Sequence, residues 1–303
     1  MTGCLPKVDL KLFLAQERVT VEAALEEALK GILSRVPQEF RGAVQHGVTS
    51  GGKRLRPILC VVAYHAAGGT DEGIYALAVS LELIHAYSLM HDDLPCMDDA
   101  DLRRGEATTH KIHGEASTCV AGALLIPAAA LQAFESAQGM GLPERECRRL
   151  VEELSRASGG GGMVGGQVLD LLGEGRDLSA AELDDLHRRK TGALLRASLR
   201  MGGIAAGATS GQLEGLDRYG ESIGLAFQIA DDLLDATSSA DELGKNPSDA
   251  ELGKSTYVSL FGVEAANRKA RELVSEALVA LEGAGLDSPE LAALARYIVE
   301  RSR

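Results

Sequence analysis

No two of the five cysteines, Cys4, Cys60, Cys96, Cys119 and Cys147, stand in a CxxC pair, and their number is odd. Scattered free thiols in a reducing cytoplasm fit that pattern, whereas a disulfide framework or a zinc site does not. Basic charge is scarce as well. With 31 basic and 44 acidic side chains the net charge is -13, which excludes nonspecific nucleic-acid binding and leaves polyanions only to local cations or bridging metal. The N-terminal MTGCLPKVDLKLF lacks the apolar core of a signal peptide, and the longest apolar run, residues 119–131, is too short to span a bilayer and holds Pro127. A soluble, cytoplasmic protein with no stable membrane insertion is expected. Familiar catalytic signatures are missing too. No GxSxG supplies a nucleophile. GGGMVG at 160–165 has GxGxxG spacing but follows a helical stretch, and the GxxxxGK spacing at 47–53 continues with Arg54 where Ser or Thr is required.

Apolar residues, by contrast, make up 45% of the chain, enough for a full core. No segment alternates apolar and polar residues long enough to make a strand, while helical spacing recurs throughout. Helices are predicted over residues 10–34, closed by Pro37, over 55–67 after the Gly51-Gly52 turn, and over 71–91, which delivers Asp92 at its end. Others are predicted over 112–138 with a break at Pro127, and over 143–158, 178–206, 212–236, 256–282 and 288–303. The fold class is all-α, with no linker, repeat or low-complexity tract to divide it. One long polar connection, residues 238–254, has a length that usually marks function.

Acid gathers in two knots. The first, HDDLPCMDDADLRRG at 91–105, surrounds Pro95. That proline lacks a backbone donor and crowds the preceding turn, so the helix ends and Asp92 and Asp98, about 240° apart on an ideal helix, can be re-aimed together. The second is DDLLD at 231–235. Asp231 and Asp235 lie about 40° apart on a helix and share a face. A solvated acidic surface accounts for either knot alone. Both sit in apolar settings, however. In IGLAFQIADDLL, residues 223–234, only Gln228, Asp231 and Asp232 are polar, and a buried carboxylate is costly unless paired or bound to metal. Hard oxygen ligands of this kind suit Mg²⁺ shared with a substrate phosphate. Cations able to hold phosphate are Lys53, Arg54, Arg56, Arg103, Arg104, Lys190, Lys245 and Lys254. Lys190 falls on the apolar seam of Leu183, Leu186, Leu194 and Ala197. His85 and Ser88 point within about 40° of Asp92, although a core histidine is the plainer reading of His85 alone.

In order along the chain, GGKRLRP at 51–57, DDLPCMDDADLRRG at 92–105, GGQVLDL at 165–171, KTGALL at 190–195, FQIADDLLD at 227–235, and LGK at 243–245 and 252–254 resemble the short-chain polyprenyl diphosphate synthases, the farnesyl and geranylgeranyl diphosphate synthase family. The resemblance covers nearly the whole chain. It implies the isoprenoid synthase fold, a single domain over 1–303 in which about ten or more mostly antiparallel helices surround a central cavity. The implied reaction is condensation of isopentenyl diphosphate with dimethylallyl or geranyl diphosphate by Mg²⁺-assisted ionisation, in a homodimer. Carried over by position, Asp92, Asp98, Asp231 and Asp235 would bind Mg²⁺. Arg103, Lys190, Gln228 and Lys245 would complete the allylic pocket, and Lys53, Arg56, His85 and Arg104 would hold isopentenyl diphosphate. Lys190, Thr191 and Gln228 would carry catalysis, Thr191 and Gln228 by stabilising the cation.

The same resemblance makes the residues ahead of Asp92 the floor of a hydrocarbon tunnel. Bulky Tyr87 followed by small Ser88 points to farnesyl diphosphate as product. A helical wheel sets Tyr87 about 140° from Asp92, so ordinary interhelical packing stays open for it. One departure from the family is AGALL at 121–125 in place of AGDALL, which leaves tunnel and subunit contacts less defined than the metal site. Three alternatives remain: a geranylgeranyl diphosphate synthase, a class I terpene cyclase, and a noncatalytic partner subunit. DDLLD and GGKRLRP oppose the cyclase, and two intact aspartate knots oppose the noncatalytic subunit.

Overall fold

Helix α3 (Leu55–Ala66) is buried without interruption from Pro57 to Tyr64, so it needs apolar neighbours on every side. The computed structural model, which describes residues 8–237 and 254–300, supplies them as two cores. Cys60, Val61 and Tyr64 face one, together with α2 (Gln38–Thr49), α4 (Ile74–Asp92), α6 (Glu115–Gly139) and α7 (Glu144–Ser158). Ile58, Leu59, Val62 and Ala63 face the other, built from α11 (Ser210–Thr237), α13 (Val263–Gly283) and α14 (Pro289–Glu300). Helix α10 (Ala193–Ala205) divides in the same way, with Leu194, Ala197 and Met201 to the first core and Leu195 and Leu199 to the second. α1 (Leu10–Arg35) starts with Asp9 accepting the Leu12 N–H at 3.1 Å and also serves both cores. The all-α expectation holds.

Several local predictions are corrected. Pro127 does not break α6, which runs continuously through it. The carbonyl that Pro127 leaves without a donor is four residues back, at Ala123, and both residues are exposed, so water can satisfy it. Residues 178–206 form one rod in three parts: α9 (Ala180–His187), opened by a Ser179–Glu182 capping box, a π-helical turn at Arg188–Gly192, and α10. The stretch 256–282 is cut by Gly262 (φ 78°) into α12 (Tyr257–Phe261) and α13. Sequence periodicity missed α2, the short α5 (Thr109–His113) and the glycine-rich α8 (Met163–Gly173). It also missed a two-stranded antiparallel ribbon, β1 (Leu102–Arg103) and β2 (Glu106–Ala107). Arg104 (φ 57°) and Gly105 (φ 82°) turn that ribbon with the paired positive φ of a two-residue hairpin.

Among the described residues two helices, α4 and α6, are long and apolar enough to cross a membrane by length and composition. The apolar run that looked too short ends at Leu131, but its helix continues to Gly139. The apolar window of α4 is 67% buried inside the protein and that of α6 33%, with Val120, Ile126 and Leu131 left exposed.

Candidate active site

The first acidic knot folds as its proline requires. α4 stops at Asp92, and the Asp98 N–H returns to bond the Asp92 carbonyl at 2.8 Å. Asp99 takes a left-handed φ of 46° in the same turn. Burial drives the Asp92 carboxyl up to about 6; Lys190 and Arg103 oppose the shift and Asp98 and Asp93 add to it. Asp93 is itself buried and takes the Arg103 guanidinium through both oxygens, with Nε at 2.8 and 2.9 Å. Burial alone would lower the Arg103 pKa, but the bond to Asp93 and the charges of Asp93, Asp92 and Asp98 outweigh it and raise it.

The π-helical turn joins this knot to the second. Lys190 Nζ lies 2.7 Å from Asp170 Oδ2 on α8. Lys254 Nζ meets the same oxygen at 2.9 Å and stands 3.5 Å from Glu174 and 3.8 Å from Asp98 Oδ1. Burial pushes Asp170 upward, yet the two lysines more than cancel it and hold the carboxyl below its usual range. Glycine makes the approach feasible, because a Cβ on Gly166 would sit 2.1 Å from the Lys190 backbone nitrogen. On the other side of the turn, Thr191 Oγ1 donates to Gln228 Oε1 at 2.8 Å. Gln228 precedes Asp231 by three residues on α11 and so lies on nearly the same face. Asp231 and Asp235 are both partly exposed while Asp232 is buried, as a shared Asp231–Asp235 face requires. A π-bulge inserts one extra residue into a helical turn and often marks a functional site; here it takes Lys190 off the apolar seam on which regular spacing had placed it.

Cations collect at the N-terminal end of α3. Arg54, in a left-handed conformation (φ 50°), is buried against Glu82 at 2.7 Å and Glu22 at 2.9 Å. Arg56, Arg104 and His85 crowd beside it. Burial, with Arg104 adding and Glu82 opposing, lowers Arg56 to about 10. Burial and four surrounding arginines, Arg56, Arg104, Arg103 and Arg54, keep His85 neutral, well below its ordinary value. Arg56 Nε and His85 Nδ1 are enclosed without a hydrogen-bond partner. Arg104 donates to the Gly51 carbonyl. A cationic pocket that Glu82 and Glu22 offset only in part, with orphaned polar atoms, suits an anion. Lys53 is exposed and lines a separate apolar cavity of about 200 Å³ with Leu14, Arg18, Phe227 and Ile298. Tyr87 is buried, its ring 5.0 Å from that of His91, which bonds the Cys119 carbonyl of α6 at 3.0 Å. Ser88 donates to the His85 carbonyl within α4. Lys245 lies outside the described residues.

The four aspartates assigned to metal do not converge on one ion. Among the described residues no group of three or more His, Cys, Asp or Glu is close enough to hold one. The pair Asp92 and Asp98 nevertheless fits Mg²⁺, which takes one or two carboxylates and completes its shell with water and substrate phosphate. Asp98 Oδ1 is buried with no hydrogen-bond partner, an oxygen placed for such a ligand. Sequence reasoning left out Asp93, Asp170 and Gln167, whose amide is buried with neither end bonded. Their signal was present: Gln167 and Asp170, three apart, are the two polar side chains in MVGGQVLDLLG.

Residues 37–284 match the family model for polyprenyl synthetase. The chain belongs to the polyprenyl synthetase family. Farnesyl diphosphate synthase of Escherichia coli (strain K12) is 45% identical over 285 residues, covering 91% of this chain and 95% of the relative. A chloroplastic geranylgeranyl pyrophosphate synthase of Capsicum annuum is 41% identical over 298 residues, covering 97% and 79%. The apo crystal structure of a FPP/GFPP synthase from Zymomonas mobilis matches with a TM-score of 0.78 at 34% identity, covering 94% of this chain and 99% of that one. The isoprenoid synthase fold expected of a polyprenyl synthetase is the fold observed.

Proposed function

We propose that this prenyltransferase condenses isopentenyl diphosphate with dimethylallyl or geranyl diphosphate and releases farnesyl diphosphate. The observation that carries the reading is the placement of two unlike pockets on one helix. His85 stands among arginines, and Asp92, seven residues on, stands beside Asp98 and Lys190. Seven residues span about 10 Å of helix, a separation suited to two diphosphates held side by side.

Arg56, Arg104 and neutral His85 hold isopentenyl diphosphate. Lys190, Lys254 and Arg103 take the allylic diphosphate, with Lys245 of the connecting segment as a further cation. Asp92, Asp98 and Asp231, with Asp235 in support, would hold Mg²⁺, which would supply charge neutralisation for the departing diphosphate. The Thr191 carbonyl and Gln228, whose Oε1 accepts from Thr191 Oγ1, would stabilise positive charge as it develops at the allylic carbon. The isopentenyl double bond joins that carbon, and the proton it then loses goes to the released diphosphate. Holding both substrates fixed removes most of the entropic barrier to their meeting. Tyr87, with small Ser88 beside it, closes the tunnel at fifteen carbons. The exposed apolar residues of α6, Val120, Ile126 and Leu131, are covered by a second copy in a cytoplasmic homodimer.

Incubation with Mg²⁺, isopentenyl diphosphate and each allylic primer, followed by chromatography of the products, tests the reading. Farnesyl diphosphate supports it. Geranylgeranyl diphosphate corrects the product, and absence of condensation with every primer refutes the reaction.

A further inference from the structure

Asp232, the middle acid of the second knot, behaves unlike its neighbours. Adjacent residues on a helix diverge by about 100°, and here Asp231 is partly exposed while Asp232 is 5% exposed. Its Oδ2 accepts the Tyr257 N–H at 2.7 Å. That amide belongs to the first residue of α12, a donor with no partner inside its own helix. The Tyr257 ring is buried and stacked on His187 at 5.8 Å and 19°, and His187 Nε2 lies 4.0 Å from the same Asp232 oxygen. A second anchor lies two residues earlier. Ser255 Oγ accepts the Leu178 N–H at 3.1 Å and donates to the Arg176 carbonyl at 3.1 Å. The next residue back is Lys254, which reaches Asp170 and Asp98.

We propose that Asp232 is a positioning residue and not a magnesium ligand: by holding the start of α12 it fixes the 254–257 segment, so that Lys254 is presented to the allylic diphosphate. The inference rests on the prenyltransferase reading above. Three residues separate anchor from cation, and an extended chain of that length reaches about 10 Å. Loss of the anchor therefore leaves the segment held only through Ser255 and loosens Lys254 in the pocket. The buried carboxylate is compensated by a backbone donor, which a metal ligand would not need.

The test uses the full-length enzyme with Asp232→Asn and Asp232→Ala, each checked for folding by its melting curve. Asn keeps an oxygen that accepts the Tyr257 N–H but cannot replace a carboxylate on Mg²⁺. Asp232→Asn is expected to stay within about 3-fold of wild type in kcat, with an unchanged Mg²⁺ requirement, while Asp232→Ala raises KM for the allylic diphosphate about 10-fold or more and leaves KM for isopentenyl diphosphate near wild type. In a Lys254→Ala background, Asp232→Ala is expected to add less than about 2-fold, because both changes remove the same contact. The proposal is overturned if Asp232→Asn loses about 100-fold or needs more Mg²⁺, or if the Ala effect persists in full without Lys254. The Asn arm decides the matter even where Asp232→Ala fails to fold. A wild-type enzyme that forms no prenyl product defeats the underlying reading instead, an outcome distinct from each of these.

Discussion

The backbone N–H of Asp98 donates to the carbonyl of Asp92 at 2.8 Å, which closes the end of α4 onto itself and gathers two carboxylates six positions apart. The turn that does this needs Pro95 to stop the helix and a left-handed Asp99 to return the chain. Among the described residues three non-glycine positions have clearly positive φ, Arg54, Asp99 and Arg104, and all three lie in the segments that build the site. Strain of this kind persists where surrounding structure enforces it and tends to collect at functional sites.

Asp92 carries a penalty in the metal-free protein. Burial has raised its carboxyl to about 6, so the folded state gains relative stability below about pH 4, where the unfolded carboxyl is also neutral, and loses it as pH rises through about 6. Asp92→Asn should therefore stabilise the EDTA-treated protein at pH 7.5 by on the order of 1–3 kcal/mol and by much less at pH 4. Urea melts at the two pH values measure this, and the same variant should lose Mg²⁺-dependent turnover.

Gly166 marks the tightest approach between α8 and the π-helical turn. A methyl there would meet the Lys190 backbone nitrogen at 2.1 Å, and a backbone atom cannot swing aside as a side chain does. Gly166→Ala should cost about 1–3 kcal/mol of stability and lower kcat/KM well beyond what that cost explains, since it parts Lys190 from Asp170. Melting and steady-state kinetics on the same preparation separate the two effects.

Arg54 is the buried partner of Glu82, whose side chain is 4% exposed and whose second oxygen has no hydrogen bond. Arg54→Met leaves that carboxylate without its bonded cation and should destabilise the fold by about 3–5 kcal/mol. The double variant Arg54→Met, Glu82→Leu should recover much of the loss. Chemical denaturation of the three variants checks the pattern.

The long helices were legible because their apolar residues recur at helical spacing, and the first knot was legible because proline chemistry is local. The parts that escaped depend on contacts between distant segments. The π-helical turn holds Lys190 between α8 and α11, and its one-residue offset leaves no mark in a 3.6-residue pattern. Helix α8 was hidden by the glycines that let it pack so closely. Asp170 and Asp93 were given no role until their partners Lys190, Lys254 and Arg103 came into view. Pro127 misled for the opposite reason, since a helix breaker is tolerated where the freed carbonyl meets water.

Tyr87 packs toward α6 through His91, the interhelical position that the helical wheel left open, and burial with the charge of Asp92 raises its phenol pKa. Tyr87→Ala should shift the product from farnesyl toward geranylgeranyl diphosphate and longer chains at little cost in stability beyond a core truncation of about 3–5 kcal/mol. Chromatography of dephosphorylated products measures the shift, and an unchanged distribution would remove Tyr87 as the tunnel floor.

The most direct test of a shared site for the two acidic knots is anomalous scattering from Mn²⁺ in crystals grown with a non-ionising allylic diphosphate analogue. The account predicts Mn²⁺ on the oxygens of Asp92 and Asp98 and again on Asp231, at about 2.1–2.3 Å, with both positions bridged by one diphosphate that also touches Lys190. Metal at a single knot, or a diphosphate held far from Asp231, would contradict it.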